Sequence, residues 1–478
     1  MTARLAAAAL AAGLLAGCAV GPNYRRPLVD APAETRGQIG PAEADSLADL
    51  PWWEVFDDPV LHGLVTEALQ ASHDLAAAAA RVEQARQLVG VARADLLPQI
   101  GYQGAAERGR FFVAPETPNQ TGNVFLGTFN LAWEIDVWGR IRRATESARA
   151  QYYGSEEFRR GVLLTLVSDV AQAYFELLEL DRELEVSRAT TRTFQETVDL
   201  FTRRYEGGIG TNLEVSRGKA ALAQAAATIP DFESRIVAKE NQLSILLGRA
   251  PGPIARGTPL GDQTVPPEIP VGLPSQLLER RPDVRQAEEA VVAANADVGV
   301  AVGNFLPRLG LTSLYGGQSS EIENLVKGTG NVWAVAGTLA GPLFQGGRLL
   351  ASYRATRAGW EESVERYLQT TLNAFAEVSS TLVLHHKLKD VRAELQRQVD
   401  ALQNAVDLSL ERYNEGISSY YEVLEAQQQL FPAQLTLARA ERDQLTSLVV
   451  LYRALGGGWT LATPEWMPPP PEPASDPG

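Results

Sequence analysis

Hydrophobic residues recur with coiled-coil spacing in two long stretches of the chain. In the first, apolar positions step alternately by three and four residues: Leu163, Leu166, Val170, Ala173, Leu177, Leu180 and Leu184. The second carries an equivalent pattern: Leu388, Leu395, Val399, Leu402, Val406 and Tyr413. The first pattern predicts a helix from Gly139 to Tyr205, roughly 100 Å long at ~1.5 Å per residue. Such a helix has no core of its own, so it needs neighbouring helices along its whole length.

Both stretches belong to an internal duplication. Short motifs recur at an offset of 208 or 209 residues: Asp74-Leu75 at Asp283-Val284, Leu97-Pro98 at Leu306-Pro307, Gly139-Arg140 at Gly347-Arg348, Arg204-Tyr205 with Gly208-Ile209 at Arg412-Tyr413 with Gly416-Ile417, and Leu247-Gly248 at Leu455-Gly456. Each repeat is predicted to hold an Ala-rich helix ending at proline, two strands, a long helix, a Gly-rich tip and a returning helix. Pro230 and Pro432 lie inside the returning helices, where a kink is expected; the alternative is that each helix ends at its proline.

The predicted strands alternate between an apolar and a more polar face. Phe125, Phe129 and Trp133 share one face, and Trp333 and Val335 share one in the second repeat. A soluble sandwich would alternate similarly. If the strands enter a membrane, however, four cannot close a barrel and an open edge cannot lie in lipid. Two chains would give a barrel filled by side chains, whereas three would give twelve strands and leave a lumen. The strand count therefore predicts at least a trimer.

The N-terminus is predicted to be a lipoprotein signal. Arg4 precedes a short apolar stretch that ends in Leu15-Ala16-Gly17-Cys18, and Cys18 is the sole cysteine of the chain. This arrangement resembles the bacterial lipoprotein box, in which the cysteine becomes the acylated N-terminus. The alternative is a buried free thiol. Ala19 follows in place of the Asp that typically retains such lipoproteins in the inner membrane, which favours the outer membrane.

Composition excludes several other classes of function. A net charge of −15 over 478 residues provides no basic field for nucleic acid. One cysteine and four histidines are too few for an evident metal cluster. His385 and His386 could bind a metal, but His385 takes the seam position of Leu177 and is more readily interpreted as a packed side chain. No catalytic motif and no cofactor fingerprint is present, so an enzyme is not expected.

The duplication also sets the predicted domain boundaries. They are a signal peptide at 1–17, a lipid-anchored segment at 18–51, a first repeat at 52–248, a linker at 249–275, a second repeat at 276–456 and a Pro-rich tail at 457–478.

Together these features resemble the TolC/OprM-like outer-membrane channel family, in its lipoprotein (NodT-type) branch that serves resistance-nodulation-division pumps. The matching strings are Gly17-Cys18 with Gly21-Pro22-Asn23-Tyr24, Pro51-Trp52-Trp53, Phe56-Asp57-Asp58-Pro59, Leu96-Leu97-Pro98, Trp133-Glu134-Ile135-Asp136, Glu279-Arg280-Arg281-Pro282-Asp283 and Pro342-Leu343-Phe344 with Gly346-Gly347-Arg348. They cover nearly the whole mature chain.

The resemblance implies an α+β membrane protein. Its members are homotrimers with a twelve-strand barrel in the outer membrane, four strands per chain, and a long periplasmic coiled-coil tunnel. The implied function is the passive exit duct of a tripartite efflux pump, without a cofactor. Its implied partners are a periplasmic adaptor, an inner-membrane resistance-nodulation-division pump and outer-membrane lipid.

The resemblance also implies site residues. The two tips, at Gly207, Gly208 and Ile209 and at Gly416 and Ile417, would meet the adaptor, although they are also ordinary helix reversals. Tyr421 and Glu425 match the positions that line the closed tunnel entrance, with Tyr in place of an aliphatic residue and Glu in place of Asp. The alternative for Glu425 is a solvated helix face.

Two other functions stay open at this stage. An exit channel of a protein-secretion system would share the fold, and the lipoprotein box favours efflux over it. A periplasmic coiled-coil scaffold without a pore would contain no strands, so the alternating segments argue against it.

Overall fold

The computed structural model describes residues 19–38, 46–50, 55–111, 120–264 and 272–457. Each repeat begins with two helices: α1 (Pro59–Ala71) and α2 (His73–Ala94) in the first, and α5 (Leu277–Arg280) and α6 (Pro282–Gly303) in the second. Strands β1 (Gln99–Phe111), β2 (Gln120–Ile135), β3 (Arg308–Ser319) and β4 (Asn331–Ala340) follow these helices in pairs. The long helices are α3 (Arg140–Glu206) and α7 (Arg348–Asn414), and the returning helices are α4 (Asn212–Leu246) and α8 (Tyr420–Ala454).

The helix bounds reproduce the duplication. α3 and α7 each have 67 residues, and α4 and α8 each have 35. Both pairs start and end 208 residues apart. The helix predicted from Gly139 to Tyr205 is therefore confirmed to within one residue. The returning helices continue through Pro230 and Pro432, so the alternative that each ends at its proline is wrong.

The chain divides into two compact units. Among the described residues, the sheet unit comprises 19–28 and those within Ala80–Glu157 and Gln286–Gln369. In it the four strands form one antiparallel sheet in the order β1-β2-β3-β4. The presence of this sheet contradicts the scaffold alternative, which predicted no β-structure.

Among the described residues, the hairpin unit comprises those within Val29–Ala79, Phe158–Arg285 and 370–457. Its main core holds the predicted seam of α3, and Val170, Tyr174 and Leu177 are fully buried there. A second core lies around Phe194, Phe201 and Tyr420, between α3, α4 and α8. The seam is buried because the apolar residues of α3 pack in these cores with residues of α1, α4, α7 and α8.

Candidate functional site

One face of the sheet carries a row of aromatic side chains, one from each strand. Tyr102 pairs with Phe129, Phe129 with Tyr315, and Tyr315 with Trp333. All four are more than 60 % exposed. Because side chains alternate along a strand, this is also the face predicted for Phe125, Phe129 and Trp133. Exposed aromatic rows on an otherwise apolar sheet face are typical of strands that border lipid headgroups.

The opposite face of the sheet carries smaller and more polar side chains. Thr128 and Asn130 lie there, each one residue from Phe129, and Thr312 lies there opposite Ala132. β1 and β4 are the edges of the sheet in the described part of the chain. Backbone groups on such edges cannot stay unpaired in lipid, so each edge requires a strand from another chain.

Within the sheet unit, hydrogen bonds hold the segment that follows Cys18. The backbone N–H of Val20 donates to the carbonyl of Trp138 at 2.9 Å. The hydroxyl of Tyr24 donates to Glu288 Oε1 at 2.9 Å, and Arg26 forms an ion pair with the same carboxylate at 2.8 Å. The sequence interpretation had not assigned a role to these residues. Cys18 itself lies outside the described residues, as do Trp52 and Trp53.

The two predicted tips have nearly identical backbone geometry. Gly208 and Gly416 have φ values of 75° and 76°, the left-handed conformation that ends a helix readily only at glycine. The next residue closes each turn, because Ile209 N–H donates to the Arg204 carbonyl and Ile417 N–H to the Arg412 carbonyl. Ile209 and Ile417 are 71 % and 61 % exposed. Each tip therefore presents one apolar side chain to solvent.

The predicted gate residues lie on the first turns of α8. The Tyr421 side chain is 54 % exposed, and the Arg217 guanidinium of α4 lies 5.2 Å from the centre of its ring. Glu425 is exposed on the same helix face, one turn later. Sequence reasoning had not identified Arg217, which occupies the position of Glu425 in the first repeat.

Several polar contacts lie next to the predicted gate residues, around Tyr420 and the two tips. The Tyr420 hydroxyl is 2.8 Å from Thr197 Oγ1, and its ring packs edge-on against Phe201. The Arg204 guanidinium donates to the Tyr413 hydroxyl at 2.6 Å. The two tip regions of one chain are thus joined by an arginine–tyrosine hydrogen bond, and the residues concerned belong to the repeated Arg-Tyr motif.

Further along α3, two acidic residues are buried against arginines of α8. Arg439 Nε donates to Glu183 Oε1 at 2.8 Å, and Arg442 lies 3.4 Å from Glu179. Burial raises the pKa of Glu179 to about 7, although Arg442 opposes the rise. A polar cleft of about 350 Å³ lies beside this group, and α4 contributes Lys239 to its lining.

Asp58 is buried in the hairpin unit, where its carboxylate accepts hydrogen bonds from several segments of the chain. Its carboxylate caps α1 by accepting from Val60 N–H at 2.9 Å, and it also accepts from the Tyr174 hydroxyl at 2.9 Å and from Gln263 at 2.9 Å. Burial alone would raise the pKa of Asp58, but these hydrogen bonds outweigh it and lower the pKa below the usual value. Pro59 at the first position of α1 is typical of a helix start, whereas the distant partners of Asp58 leave no local signal in the sequence.

His385 is a packed side chain. It is 5 % exposed, and its Nδ1 lies 2.7 Å from Ser447 Oγ. Burial lowers its pKa to about 4, with smaller contributions from the charges of His386 and Lys389. No group of three or more potential metal ligands occurs among the described residues. The geometry supports the packed interpretation of His385 over the metal-ligand alternative.

Comparison with known proteins identifies the family. The family model described as "Outer membrane efflux protein" matches residues 64–249 and 273–457. The chain belongs to this family. It is 34 % identical over 476 residues to the toluene efflux pump outer membrane protein TtgC of Pseudomonas putida, with 96 % of each chain covered. It is 31 % identical over 447 residues to the cation efflux system protein CusC of Escherichia coli, covering 93 % of this chain and 96 % of the relative.

A solved structure agrees with the fold. The outer-membrane channel OprN superposes with a TM-score of 0.86 at 28 % identity, over 92 % of this chain and 100 % of that one. The predicted fold class is confirmed: a trimeric outer-membrane barrel with four strands per chain, continued by long helices. The predicted family, efflux function and outer-membrane location are confirmed as well.

Proposed function

We propose that this protein is the passive exit duct of a tripartite efflux pump and catalyses no reaction. The observation that carries the proposal is the sheet: four strands with two open edges and one aromatic, apolar face, in a chain of the outer membrane efflux family. Three chains supply twelve strands, which close the edges and leave a lumen. The homotrimer passes cargo that an inner-membrane resistance-nodulation-division pump and a periplasmic adaptor deliver to it.

The cargo is a small molecule or ion set by the pump. The relatives compared above are named for toluene and for cations, yet they share the fold and about a third of this sequence. Because such similar ducts serve pumps for such different cargoes, the duct itself contributes little to the choice of cargo. The polar side chains on the sheet face opposite the aromatic row, such as Asn130 and Thr312, suit a water-filled passage.

The tips are the proposed adaptor contacts. Ile209 and Ile417 are exposed at two turns of the same geometry, and each belongs to one repeat. A trimer therefore exposes six isoleucine side chains at its tips, three copies of Ile209 and three of Ile417. Gly207, Gly208 and Gly416 allow the tight reversals that project these side chains.

Tyr421 and Glu425 form the proposed gate. Three-fold symmetry brings three copies of each residue together at the narrow end of the tunnel. Carboxylates at 4 Å repel by ~1 kcal/mol per pair even in water, so the Glu425 ring cannot close the aperture by itself. The bulk of Tyr421 closes it, and Arg217 holds each ring in place through a cation–π contact.

Single-channel recording in planar bilayers tests the duct and the gate together. Wild-type protein should conduct weakly, Tyr421→Ala should raise the resting conductance several-fold, and Glu425→Gln should reduce cation preference with a smaller effect on conductance. Leu213→Ala is the matched control, because Leu213 occupies the place of Tyr421 in the first repeat and is also exposed. Absence of any conductance would contradict the duct. Unchanged conductance in Tyr421→Ala with unchanged selectivity in Glu425→Gln would contradict this gate.

A further inference from the structure

The helices of the sheet unit all join the same end of the sheet. α2 and α6 lead into β1 and β3, and α3 and α7 follow β2 and β4. In this outer-membrane channel the helices extend into the periplasm. The opposite end of the sheet, where β1 ends and β2 begins, therefore faces the cell exterior.

At that end, the first pair of strands extends further than the second. β1 and β2 stay paired as far as Phe111 with Gln120, whereas the pairing of β2 with β3 ends at Phe125. Residues 107–111 and 120–124 therefore form a two-stranded ribbon, and no third strand of the described chain pairs with it on the β2 side. A two-stranded ribbon is only marginally stable by itself, so its side chains need stabilising contacts with their surroundings.

The ribbon carries two arginines on the side of the sheet that faces lipid. Arg108 and Arg110 follow Tyr102 at even spacing along β1, so strand alternation places them on the face of the aromatic row. Arg108 lies about 20 Å beyond Tyr102 at ~3.3 Å per residue. Both arginines are exposed, and Nη1 of Arg108 donates to Oδ1 of Asn123 on β2 at 3.3 Å. Basic side chains thus follow the aromatic row in the outward direction.

The same side of the ribbon holds no acidic residue among its described positions. The residues that pair with Arg108 and Arg110 across the ladder are Asn123 and Thr121. Glu107 precedes Arg108 on β1, but alternation turns it to the opposite face. The two positive charges are therefore not neutralised by a carboxylate on their own face of the ribbon.

This basic side contrasts with the rest of the chain. The net charge of the protein is −15, and the connection between β3 and β4 holds two acids, Glu321 and Glu323, with one base, Lys327. An anionic membrane surface attracts basic side chains and repels acidic ones. Two arginines on one lipid-facing side therefore give this acidic protein a local attraction for an anionic lipid headgroup.

We propose that Arg108 and Arg110 bind phosphate groups of lipopolysaccharide in the outer leaflet of the outer membrane. The acyl chains of this glycolipid lie against the apolar face of the sheet, and its phosphates lie further outward, as the arginines do. Guanidinium groups bind phosphate oxygens through paired N–H donors. The two side chains start about 7 Å apart along the strand, a spacing that lets both contact one headgroup. The bound lipid would stabilise the ribbon.

The thermal stability of the purified trimer tests the proposal. Lipopolysaccharide, added to protein from which it has been removed in detergent, should raise the temperature at which the wild-type trimer dissociates on gels. Arg108→Gln combined with Arg110→Gln should lose most of this rise, whereas Arg108→Lys combined with Arg110→Lys should keep part of it because the charge remains. Arg308→Gln is the matched control, since Arg308 is an exposed arginine on the opposite face at the helix end of the sheet.

The choice of lipid identifies the chemistry. Dephosphorylated lipopolysaccharide should stabilise the wild-type trimer much less than the intact form does. Vesicles of phosphatidylglycerol test the other source of a phosphate headgroup, and an equal effect would overturn lipopolysaccharide as the ligand. Lipopolysaccharide that co-purifies with the trimer, measured per chain, should be several-fold lower in the double glutamine variant.

Two results would overturn the site itself. One is an equal rise for the wild type and the double glutamine variant, and the other is an equal rise with intact and dephosphorylated lipopolysaccharide. If the double variant forms no trimer, Arg108→Gln and Arg110→Gln are compared singly. Conductance of the same samples separates this site from the duct: a conducting trimer that lipopolysaccharide does not stabilise would refute the site and leave the duct in place.

Discussion

Asp58 concentrates more interactions than its place in a short motif suggests. It caps a helix and accepts hydrogen bonds from α3 and from the segment after α4, through Tyr174 and Gln263. Removing the carboxylate leaves several buried donors without an acceptor, and each such loss costs about 1–3 kcal/mol.

Asp58→Ala should therefore lower the free energy of unfolding by about 2–4 kcal/mol. Guanidinium unfolding of the detergent-solubilised protein, followed by tryptophan fluorescence, measures the change. Asp57→Ala is the control, because Asp57 is adjacent and exposed. Equal stability of the two variants would mean that the hydrogen bonds to Asp58 contribute little.

His385 predicts a defined pH dependence. Its pKa falls from 6.5 to about 4 on folding because the ring is buried. The folded protein therefore keeps the ring neutral, and its contribution to stability is present above pH 6.5 and is lost as the pH falls towards 4. The loss amounts to about 3 kcal/mol at most.

His385→Leu, which installs the residue found at the equivalent Leu177, should remove this acid-induced loss. Thermal unfolding between pH 7.5 and pH 4.5 measures it. His386→Leu should retain the loss, since His385 is still present. A His385→Leu protein whose stability falls as steeply in acid as that of wild type would place the responsible group elsewhere.

At the scale of elements, the two faces of the sheet predict opposite tolerance for charge. Val335 lies two residues along β4 from Trp333, on the aromatic face, and Ala336 points to the other side. A lysine on the lipid-facing side of a barrel costs about 2–4 kcal/mol near the bilayer midplane. Val335→Lys should therefore reduce the fraction of folded trimer, and Ala336→Lys should not. Heat-modifiable migration on gels measures this fraction; equal yields would contradict the assignment of faces.

The helices and strands were predictable because each rests on local periodicity. Seven seam residues of α3 repeat at coiled-coil spacing, and Phe125, Phe129 and Trp133 alternate with polar residues. The aligned row from Tyr102 to Trp333 was not predictable, since it depends on the register between strands. Nor was the Arg217 contact with Tyr421, because cation–π pairs between helices leave no trace in sequence spacing. Glu179 and Glu183 lie next to seam positions and resemble solvated charges until their distant arginines are known.

At the scale of the whole molecule, Cys18 is expected to attach the mature chain to the outer membrane. The segment that follows Cys18 is bonded to the sheet unit through Val20 and Tyr24. The attachment site of the acyl chains would therefore have a defined position. Intact mass spectrometry should give a chain that begins at Cys18 and carries lipid, and Cys18→Ser should lose that added mass. A mature protein that retains residues 1–17, or a free thiol at Cys18, would refute lipidation.

The matched lengths of the two hairpins also bear on how the gene can change. α3 and α7 have the same length, and so do α4 and α8. A deletion in one half of the gene would shorten one hairpin and leave the other unchanged. Changes of length in the two halves would therefore be expected to arise together.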